Sequence, residues 1–152
     1  MTTSRSYLIE VRNVTLAAIA ADVAKESKCV SLKVGAVLVI GDRIVSTGYN
    51  GTAPSYVNCC DKFDDRGPEH SAWSDKYETH AELSALLFCP VSIAGSKMVT
   101  THSPCWNCVK AMVLAGVTQI YYAERYYRQS DSDFQEVVDY CNVMNITFDK
   151  VS

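Results

Sequence analysis

Apolar and polar positions alternate along the 152-residue chain in blocks that predict helices and strands in turn. Residues 11–27 carry apolar side chains at helical spacing and predict an amphipathic helix, whereas the polar residues 1–10 predict a loose start. Residues 34–40 form a nearly unbroken apolar run, which indicates a buried strand. A turn at 41–43 and a second strand at 44–49 complete a predicted hairpin.

The second half of the chain continues this alternation. Helices are predicted at about 80–89, 105–115 and 131–144, and strands at about 96–101, 118–123 and 146–150. The order predicts one domain over residues 1–152, an α/β protein built as a three-layer α/β/α sandwich with a five-stranded mixed sheet. Because ligands of open α/β sheets bind at the carboxyl ends of strands, we expect the functional site there.

Composition narrows the class of protein. A net charge of −3 and a pI of about 5.5 weigh against a broad nucleic-acid surface, so no nucleic-acid partner is expected. No apolar run reaches transmembrane length and residues 1–10 do not resemble a signal peptide, so no membrane partner is expected either. Seven cysteines in this context indicate metal ligands and free thiols of a cytoplasmic protein.

Two short motifs carry candidate chemistry: His-Ala-Glu at 80–82 and Pro-Cys-Trp-Asn-Cys at 104–108. His80, Cys105 and Cys108 supply three zinc ligands, and a catalytic zinc site keeps its fourth position open for water. The two cysteines are three residues apart, so at a helix start both sulfurs lie on one face. A helix N-terminus also lowers thiol pKa values, which favours the thiolate that binds zinc.

Glu82 completes this arrangement as a carboxylate that need not bind the metal. Zinc lowers the pKa of bound water to about 7, and a neighbouring carboxylate can take that proton and pass it on. The alternative is a structural zinc site in which the glutamate is incidental. The combined H-x-E and P-C-x-x-C pattern is the signature of zinc nucleobase deaminases.

Further segments make the resemblance specific. The chain resembles the cytidine deaminase superfamily and, within it, the phage-type deoxycytidylate (dCMP) deaminases, over roughly residues 12–150. The resemblance rests on Ser27-Lys28-Cys29, Lys33-Val34-Gly35-Ala36-Val37, Ser46-Thr47-Gly48-Tyr49-Asn50-Gly51, Val57-Asn58-Cys59-Cys60-Asp61 and the two zinc motifs. It implies hydrolytic deamination of dCMP to dUMP and ammonia, which feeds thymidylate synthesis.

The resemblance also implies a substrate site. Asn50 would bond the sugar hydroxyl, although Asn-Gly is also a common turn sequence. The backbone of Val34, Gly35 and Ala36 would line the base pocket, and the alternative for Gly35 is strand packing. The base edge would contact Ser103 and Pro104, and the phosphate would meet a cluster that comprises Ser27, Lys28, Lys33 and Tyr126 with Arg125 or Arg128.

A second, structural zinc is implied in the long polar segment 50–78. By position, its ligands would be Cys29, Cys59, His70 and Glu78. Independently, a structureless loop of this length is uncommon unless it is functional or held down, and a metal would hold it. Alternatively, Cys29 is merely buried and Cys59 is a free thiol. The other three cysteines, Cys60, Cys89 and Cys141, are expected to be small buried apolar side chains.

Regulation and assembly follow from the resemblance alone. It implies a homohexamer activated by dCTP with magnesium and inhibited by dTTP, with Gly48, Asn50 and Gly51 at the effector site. His102 departs from the usual residue before Ser-Pro-Cys, and it is either a hydrogen-bonded structural histidine or a neighbour of the pocket or a subunit contact.

Other functions stay open on sequence alone. The alternative enzymes are deaminases of deoxycytidine, of dCTP or of a tRNA base, and the acidic pI counts against the last. A non-catalytic zinc-binding nucleotide sensor is the alternative from another class, and the intact Glu82 argues against it.

Overall fold

The computed structural model describes residues 4–152 and contains, within them, six helices and five strands. The helices are α1 (Arg5–Ala24), α2 (Cys59–Lys62), α3 (Pro68–Tyr77), α4 (Ala81–Phe88), α5 (Trp106–Ala115) and α6 (Asp131–Val143). The strands are β1 (Gly35–Ile40), β2 (Arg43–Tyr49), β3 (Ser96–His102), β4 (Val117–Glu124) and β5 (Thr147–Lys150). Every predicted element is present, and α2 and α3 are additional.

The five strands form one mixed sheet in the order β2-β1-β3-β4-β5. Strand β1 runs antiparallel to both β2 and β3, whereas β3, β4 and β5 run parallel to one another. The predicted five-stranded mixed sheet is therefore confirmed. None of the helices in residues 4–152 combines the length and the apolar character that crossing a bilayer requires.

Helices cover both faces of the sheet, as predicted. Ala36 and Leu38 of β1 belong to the core under α4, α5 and α6, whereas Val37 and Val39 pack with α1 on the opposite face. Successive side chains of a strand point to opposite faces, so β1 is apolar at every position because both of its faces are buried.

Helix α1 begins at Arg5, so the prediction of a loose start at 1–10 is wrong for residues 5–10, and residues 1–3 lie outside the described part of the chain. The start is set by Ser4, whose Oγ accepts a hydrogen bond from the backbone N–H of Tyr7 at 3.2 Å. A serine in this position satisfies one of the free donors of the first turn. The first turns of the helix extend beyond the core, so they are exposed although they include apolar side chains such as Leu8 and Ile9.

The segment 50–78 has its own structure, because it contains α2 and α3. Trp73 of α3 packs against Cys29 and Cys59, and Phe63 lies edge-on to its ring with 5.4 Å between the centroids. The sequence analysis named no helix in this segment, so α2 and α3 are an addition to the predicted elements. Its apolar side chains are few but large, and one of their partners, Cys29, comes from a distant part of the chain.

Two glycines let helices approach the sheet closely. A Cβ at Gly35 would overlap the carbonyl oxygen of Ala20 in α1, and a Cβ at Gly48 would overlap the carbonyl oxygen of Ala81 in α4. Gly35 therefore allows α1 to pack closely on its strand, which agrees with the packing alternative noted from sequence. Gly48 allows the first turn of α4, which carries one of the two zinc motifs, to pack directly on β2.

Candidate active site

One cavity opens at the carboxyl end of β3, where both zinc motifs meet. Its walls include His80, Glu82 and Cys105 from the motifs, together with Cys29 and His70 from the second predicted metal site. The two clusters of potential metal ligands therefore lie along the same cavity.

His80, Cys105 and Cys108 form the first cluster. The His80 Nδ1 lies 3.2 Å from the Sγ of Cys108 and 3.5 Å from the Sγ of Cys105. Tetrahedral zinc with bonds of about 2.0–2.3 Å places its ligand atoms roughly 3.3–3.8 Å apart, so the three donors fit a zinc ion. Because His80 and Cys105 line the cavity, a metal held by these donors would border it.

Helix starts position these donors. His80 and Cys105 are the N-cap residues of α4 and α5, and neither uses its side chain as a cap. A hydrogen bond from the Cys108 thiol, followed by one from His80, lowers the pKa of Cys105 to about 4. The same contact with Cys105 raises the pKa of His80 to about 9. Cys105 is thus favoured as the thiolate, the form of cysteine that binds zinc, whereas the hydrogen bond with Cys105 and burial raise the pKa of Cys108.

Glu82 lies in the first turn of α4 with only 4% of its surface exposed. Burial is the main cause that raises the pKa of its carboxyl group, opposed by a hydrogen bond from Cys108 and by the charge of His80. It does not belong to the set of donor atoms that lie within 4.8 Å of one another. A carboxyl group with a raised pKa, beside a metal site but outside it, is suited to proton transfer.

Cys29, Cys59, His70 and Glu78 form the second cluster, and their donor atoms also lie within 4.8 Å of one another. The His70 Nε2 lies 3.1 Å from the Cys59 Sγ and 3.7 Å from the Cys29 Sγ. Burial raises the pKa of Cys59 to about 12, and the Oε1 of Glu78 is buried without a hydrogen bond. Unpaired buried polar groups are costly, and this donor set matches a closed zinc site.

The family follows from comparison with known proteins. Residues 11–124 match the family described as the cytidine and deoxycytidylate deaminase zinc-binding region. The chain belongs to this deaminase family. The deoxycytidylate deaminase of Enterobacteria phage T4 is 39% identical, over 74% of this chain and 77% of that protein, and the phage T2 enzyme is 37% identical, over 74% and 79%.

A solved structure supports the same assignment. The dCMP deaminase of cyanophage S-TIM5, in complex with dCMP and dUMP, superposes with a TM-score of 0.73 at 26% identity. The match covers 98% of this chain and 99% of that one. The predicted cytidine deaminase-like fold is confirmed.

Several residues predicted to bind substrate line the deaminase cavity. They are Val34, Asn50, Ser103, Pro104 and Tyr126. Ser27 is buried and does not line the cavity, but its Oγ donates a hydrogen bond to the carbonyl oxygen of Asn50, which does, at 2.8 Å. Gly35 and Ala36 are buried and do not line the cavity.

The predicted phosphate cations are only partly brought together. Arg128 lines the cavity, but Lys28 and Lys33 do not. Lys33 borders a separate groove beside α1, because adjacent side chains of an extended segment point to opposite sides and Val34 faces the cavity. Arg125 turns away and forms an ion pair with Asp131 at 2.7 Å.

The predicted effector residues differ in their surroundings. Gly48 is buried against α4, as described above. Gly51 and Thr79 form a bridge of two backbone hydrogen bonds, N to O at 3.1 Å and 2.7 Å. This bridge fixes the short segment between Glu78 of the second cluster and His80 of the first.

Sequence reasoning missed the contribution of α3 to the cavity. Ser71, Ser74 and Asp75 line it together with Glu78. These positions are three or four residues apart, which places them on one face of a helix. Their spacing would have indicated a shared face if residues 68–77 had been predicted as a helix.

The three cysteines outside the metal clusters differ in burial, and His102 lies beside the cavity. Cys141 is buried, and burial raises its pKa to about 11, but Cys60 is exposed and Cys89 is half-buried. The expectation of three buried thiols is therefore wrong for Cys60, which is exposed on α2, and only partly correct for Cys89, which packs at the edge of the core. His102 is both a structural histidine and a pocket neighbour, because it lies 2.9 Å from the Thr101 Oγ1 and lines the cavity.

Asn50 gives a test of this site. Its Oδ1 accepts a hydrogen bond from the Val34 N–H, and its Nδ2 donates one to the Leu32 carbonyl oxygen, both at 2.8 Å. Asn50→Ala leaves both backbone groups unpaired, so we expect a loss of about 1–3 kcal/mol in the free energy of unfolding. Asn142→Ala, at an exposed position of α6, is the matched control, and urea unfolding measures both. Equal stability of the two variants would contradict a stabilising role of the two Asn50 hydrogen bonds.

Proposed function

We propose that this protein is a zinc-dependent deaminase that hydrolyses dCMP to dUMP and ammonia and so supplies dUMP for thymidylate synthesis. The observation that carries the proposal is the buried Glu82 beside three convergent zinc donors in a cavity. The named activity of the phage T4 relative and the dCMP and dUMP bound to the cyanophage enzyme support the substrate.

The residues divide the chemistry between them. His80, Cys105 and Cys108 would hold the zinc, which when bound acidifies a water molecule and makes it a nucleophile at neutral pH. Glu82 would carry two protons in turn on its carboxylate: the first, from the attacking water, to the ring nitrogen, and the second, from the hydroxyl that the water adds to the ring, to the amino group that leaves as ammonia. Its raised pKa keeps the carboxyl able to hold a proton between these transfers. Asn50 and the wall of Val34, Ser103 and Pro104 would orient the nucleoside.

Substitution of the proton carrier tests this function. Glu82→Gln keeps the size of the side chain but cannot accept a proton, so we expect ammonia release from dCMP to fall about 10²- to 10⁴-fold. The melting temperature should not fall, because the substitution removes a buried acid instead of a packing contact. Glu69→Gln, at an exposed position of α3, is the control and should keep full activity.

The same assay separates the competing functions. A nucleotide sensor would show no turnover in the wild type and no effect of Glu82→Gln. Equal turnover of deoxycytidine and dCMP would contradict selection of the nucleotide, and turnover of dCTP in preference to dCMP would contradict selection of the monophosphate.

The proposal includes a second, structural zinc held by Cys29, Cys59, His70 and Glu78. It is supported by their convergence, by the unpaired Oε1 of Glu78, and by the Val30 N–H that donates to the Cys59 sulfur at 3.3 Å. Such a metal ties α2 and α3 to the segment after α1.

Metal content tests the second site. We expect about two zinc ions per chain in the wild type and about one in Cys59→Ser, with faster proteolysis within 50–78. Cys60→Ser is the matched control, because the neighbouring thiol is exposed and outside the cluster, so its zinc content should equal the wild type's. About one zinc per chain in the wild type would contradict the second site.

We also propose that the enzyme works as a homohexamer in the cytoplasm, of the host if it is phage-encoded, and binds dCTP with magnesium or dTTP near Gly48, Asn50 and Gly51. Exposed apolar side chains support an assembly: Leu87 and Phe88 end α4 at 77% and 70% exposure, and Leu114 near the end of the neighbouring α5 is 90% exposed. Apolar surface of this kind marks interaction sites when it is contiguous.

Effector titration tests the regulation. With dCMP below saturation, added dCTP with magnesium should raise the rate of ammonia release, and dTTP should lower it, because each nucleotide favours one of two states of the assembly. Replacement of both effectors by dGTP at the same concentration controls for general effects of nucleotide and magnesium. Unchanged rates with dCTP and dTTP would contradict allosteric control.

A further inference from the structure

We propose that helix α1 forms an interface between two copies of this chain, in which its outer face packs antiparallel against the same face of α1 in the second copy. This inference rests on the proposed function, because it names a surface through which chains of the proposed homohexamer meet.

Helix α1 carries an apolar stripe that the core of its own chain does not cover. Leu16, Ala20 and Ala24 face the sheet and are buried. On the other side of the helix, exposed apolar residues recur at intervals of four, three, four and three, the spacing of a coiled-coil seam. This outer seam consists of Tyr7, Val11, Val14, Ala18 and Ala21. Tyr7 is 57% exposed, and Val11 and Val14 are each 48% exposed. The helix therefore has two apolar faces, and the sheet covers one of them.

The first two turns of α1 project from the domain. Within residues 4–152, the earliest side-chain hydrogen bonds from α1 to another element involve Arg12, which donates to the Asp42 carbonyl oxygen, and Asn13, which accepts from Lys97 at 2.8 Å. Residues 5–11 before them are all exposed. Short helical segments are marginal in water and gain most of their stability from packing of an apolar face. A second helix on the outer seam supplies that packing.

Side-chain size along the outer seam favours an antiparallel pair. Bulky residues occupy its N-terminal end and alanines its C-terminal end. A parallel pair would bring bulky residues together at one end and leave a gap between alanines at the other. An antiparallel pair centred on Val14 places Tyr7 of one copy over Ala21 of the other, so large side chains meet small ones along the whole seam, as close packing requires.

A groove beside α1 suits the tyrosine of the second copy. Its walls include Ala17, Ala21 and Ala24 of α1, together with Lys25 and Lys33. A tyrosine has an apolar ring and a polar tip, so the ring fits against the alanines while the hydroxyl meets the charged side chains.

The charges of α1 are complementary in the same arrangement. Residues 5–14 contain two arginines and one glutamate, a net charge of +1, whereas residues 15–26 contain one lysine, one aspartate and one glutamate, a net charge of −1. Antiparallel packing sets each half against the half of opposite charge. Arg5 is exposed, and no carboxylate of residues 4–152 lies within 4.0 Å of its side-chain nitrogens, so its charge is available to the acidic end of the second copy.

The area of the outer seam suits one contact of a larger assembly. A helix of this length is about 30 Å long and about 10 Å wide, so it covers about 300 Å² on its copy. A stable interface between two chains alone takes about 800 Å² on each partner. A closed hexamer of dihedral symmetry combines two kinds of contact. The α1 pair is a twofold contact, and the exposed apolar ends of α4 and α5 are available for the other kind.

The number of chains in the assembly tests this interface. Size-exclusion chromatography with light scattering compares the wild type with Val14→Glu and with the control Ile9→Glu. We expect six chains in the wild type and two or three in Val14→Glu, because two carboxylates would meet at the centre of the antiparallel pair. Ile9 is 39% exposed and lies on the other side of α1 from the outer seam, so Ile9→Glu should keep six chains. Circular dichroism and thermal melting establish that each variant is folded. A hexamer that Val14→Glu leaves intact would overturn the inference.

Cross-linking tests the orientation of the pair. Both variants carry Cys60→Ser, which removes the exposed native thiol. Under mild oxidation by dissolved oxygen, Val14→Cys should form a disulfide between two copies, seen as a dimer on a non-reducing gel. Tyr7 lies seven residues from the centre of the pair in each copy, so Tyr7→Cys places its thiols on backbones about 21 Å apart, too far for a disulfide. Dimers from both variants would indicate a parallel pair, and dimers from neither would exclude the contact, so each result would contradict the proposal.

Turnover of dCMP by the same wild-type samples separates this inference from the proposals on which it rests. A wild type without turnover contradicts the deaminase function, whatever its mass. A dimeric wild type that Val14→Glu converts to monomers contradicts the hexamer but supports the α1 interface. A monomeric wild type overturns both the hexamer and the α1 interface.

Discussion

The site depends on two helix N-termini that are held side by side at the carboxyl end of β3. Helices α4 and α5 pack on the same face of the sheet and each begins with a zinc donor, His80 and Cys105. Gly48 allows the first turn of α4 to lie directly on β2, where any larger residue would meet the Ala81 carbonyl oxygen. If this packing changed, the imidazole and the thiols would separate and Glu82 would lose its enclosed position.

Burial then gives each acid and thiol its role. The same enclosure that raises the pKa of Glu82 would disfavour the thiolate of Cys105, but hydrogen bonds from Cys108 and His80 outweigh it there. The pKa of Glu82 is therefore raised while that of Cys105 is lowered, although both groups border the same cavity. Residues of the second cluster line the same cavity. The chain segment Glu78, Thr79 and His80 connects the two clusters, and the backbone bridge between Gly51 and Thr79 fixes its position.

Much of this could be predicted from the sequence, for reasons that the structure makes clear. Strand β1 was evident because burial on both faces leaves an unbroken apolar run, and the zinc motifs were evident because the spacing of their residues reflects helix geometry. Helix α3 was missed because its core contacts are Trp73 and His70 packed against Cys29, a partner about forty residues away that no local pattern reveals. The cations near the predicted phosphate site could not be chosen from the sequence. Lys33, Arg125 and Arg128 all carry a positive charge, and they differ only in where the fold directs their side chains.

The central claim is that three protein donors hold a zinc ion while Glu82 stays unbound beside it. Anomalous diffraction at the zinc edge, from crystals of the protein as purified, tests this directly. We predict a peak bonded to the His80 Nδ1 and to the sulfurs of Cys105 and Cys108, with the Glu82 carboxylate outside bonding distance and a non-protein ligand in the fourth position. A site without zinc, or one in which Glu82 fills the fourth position, would contradict it.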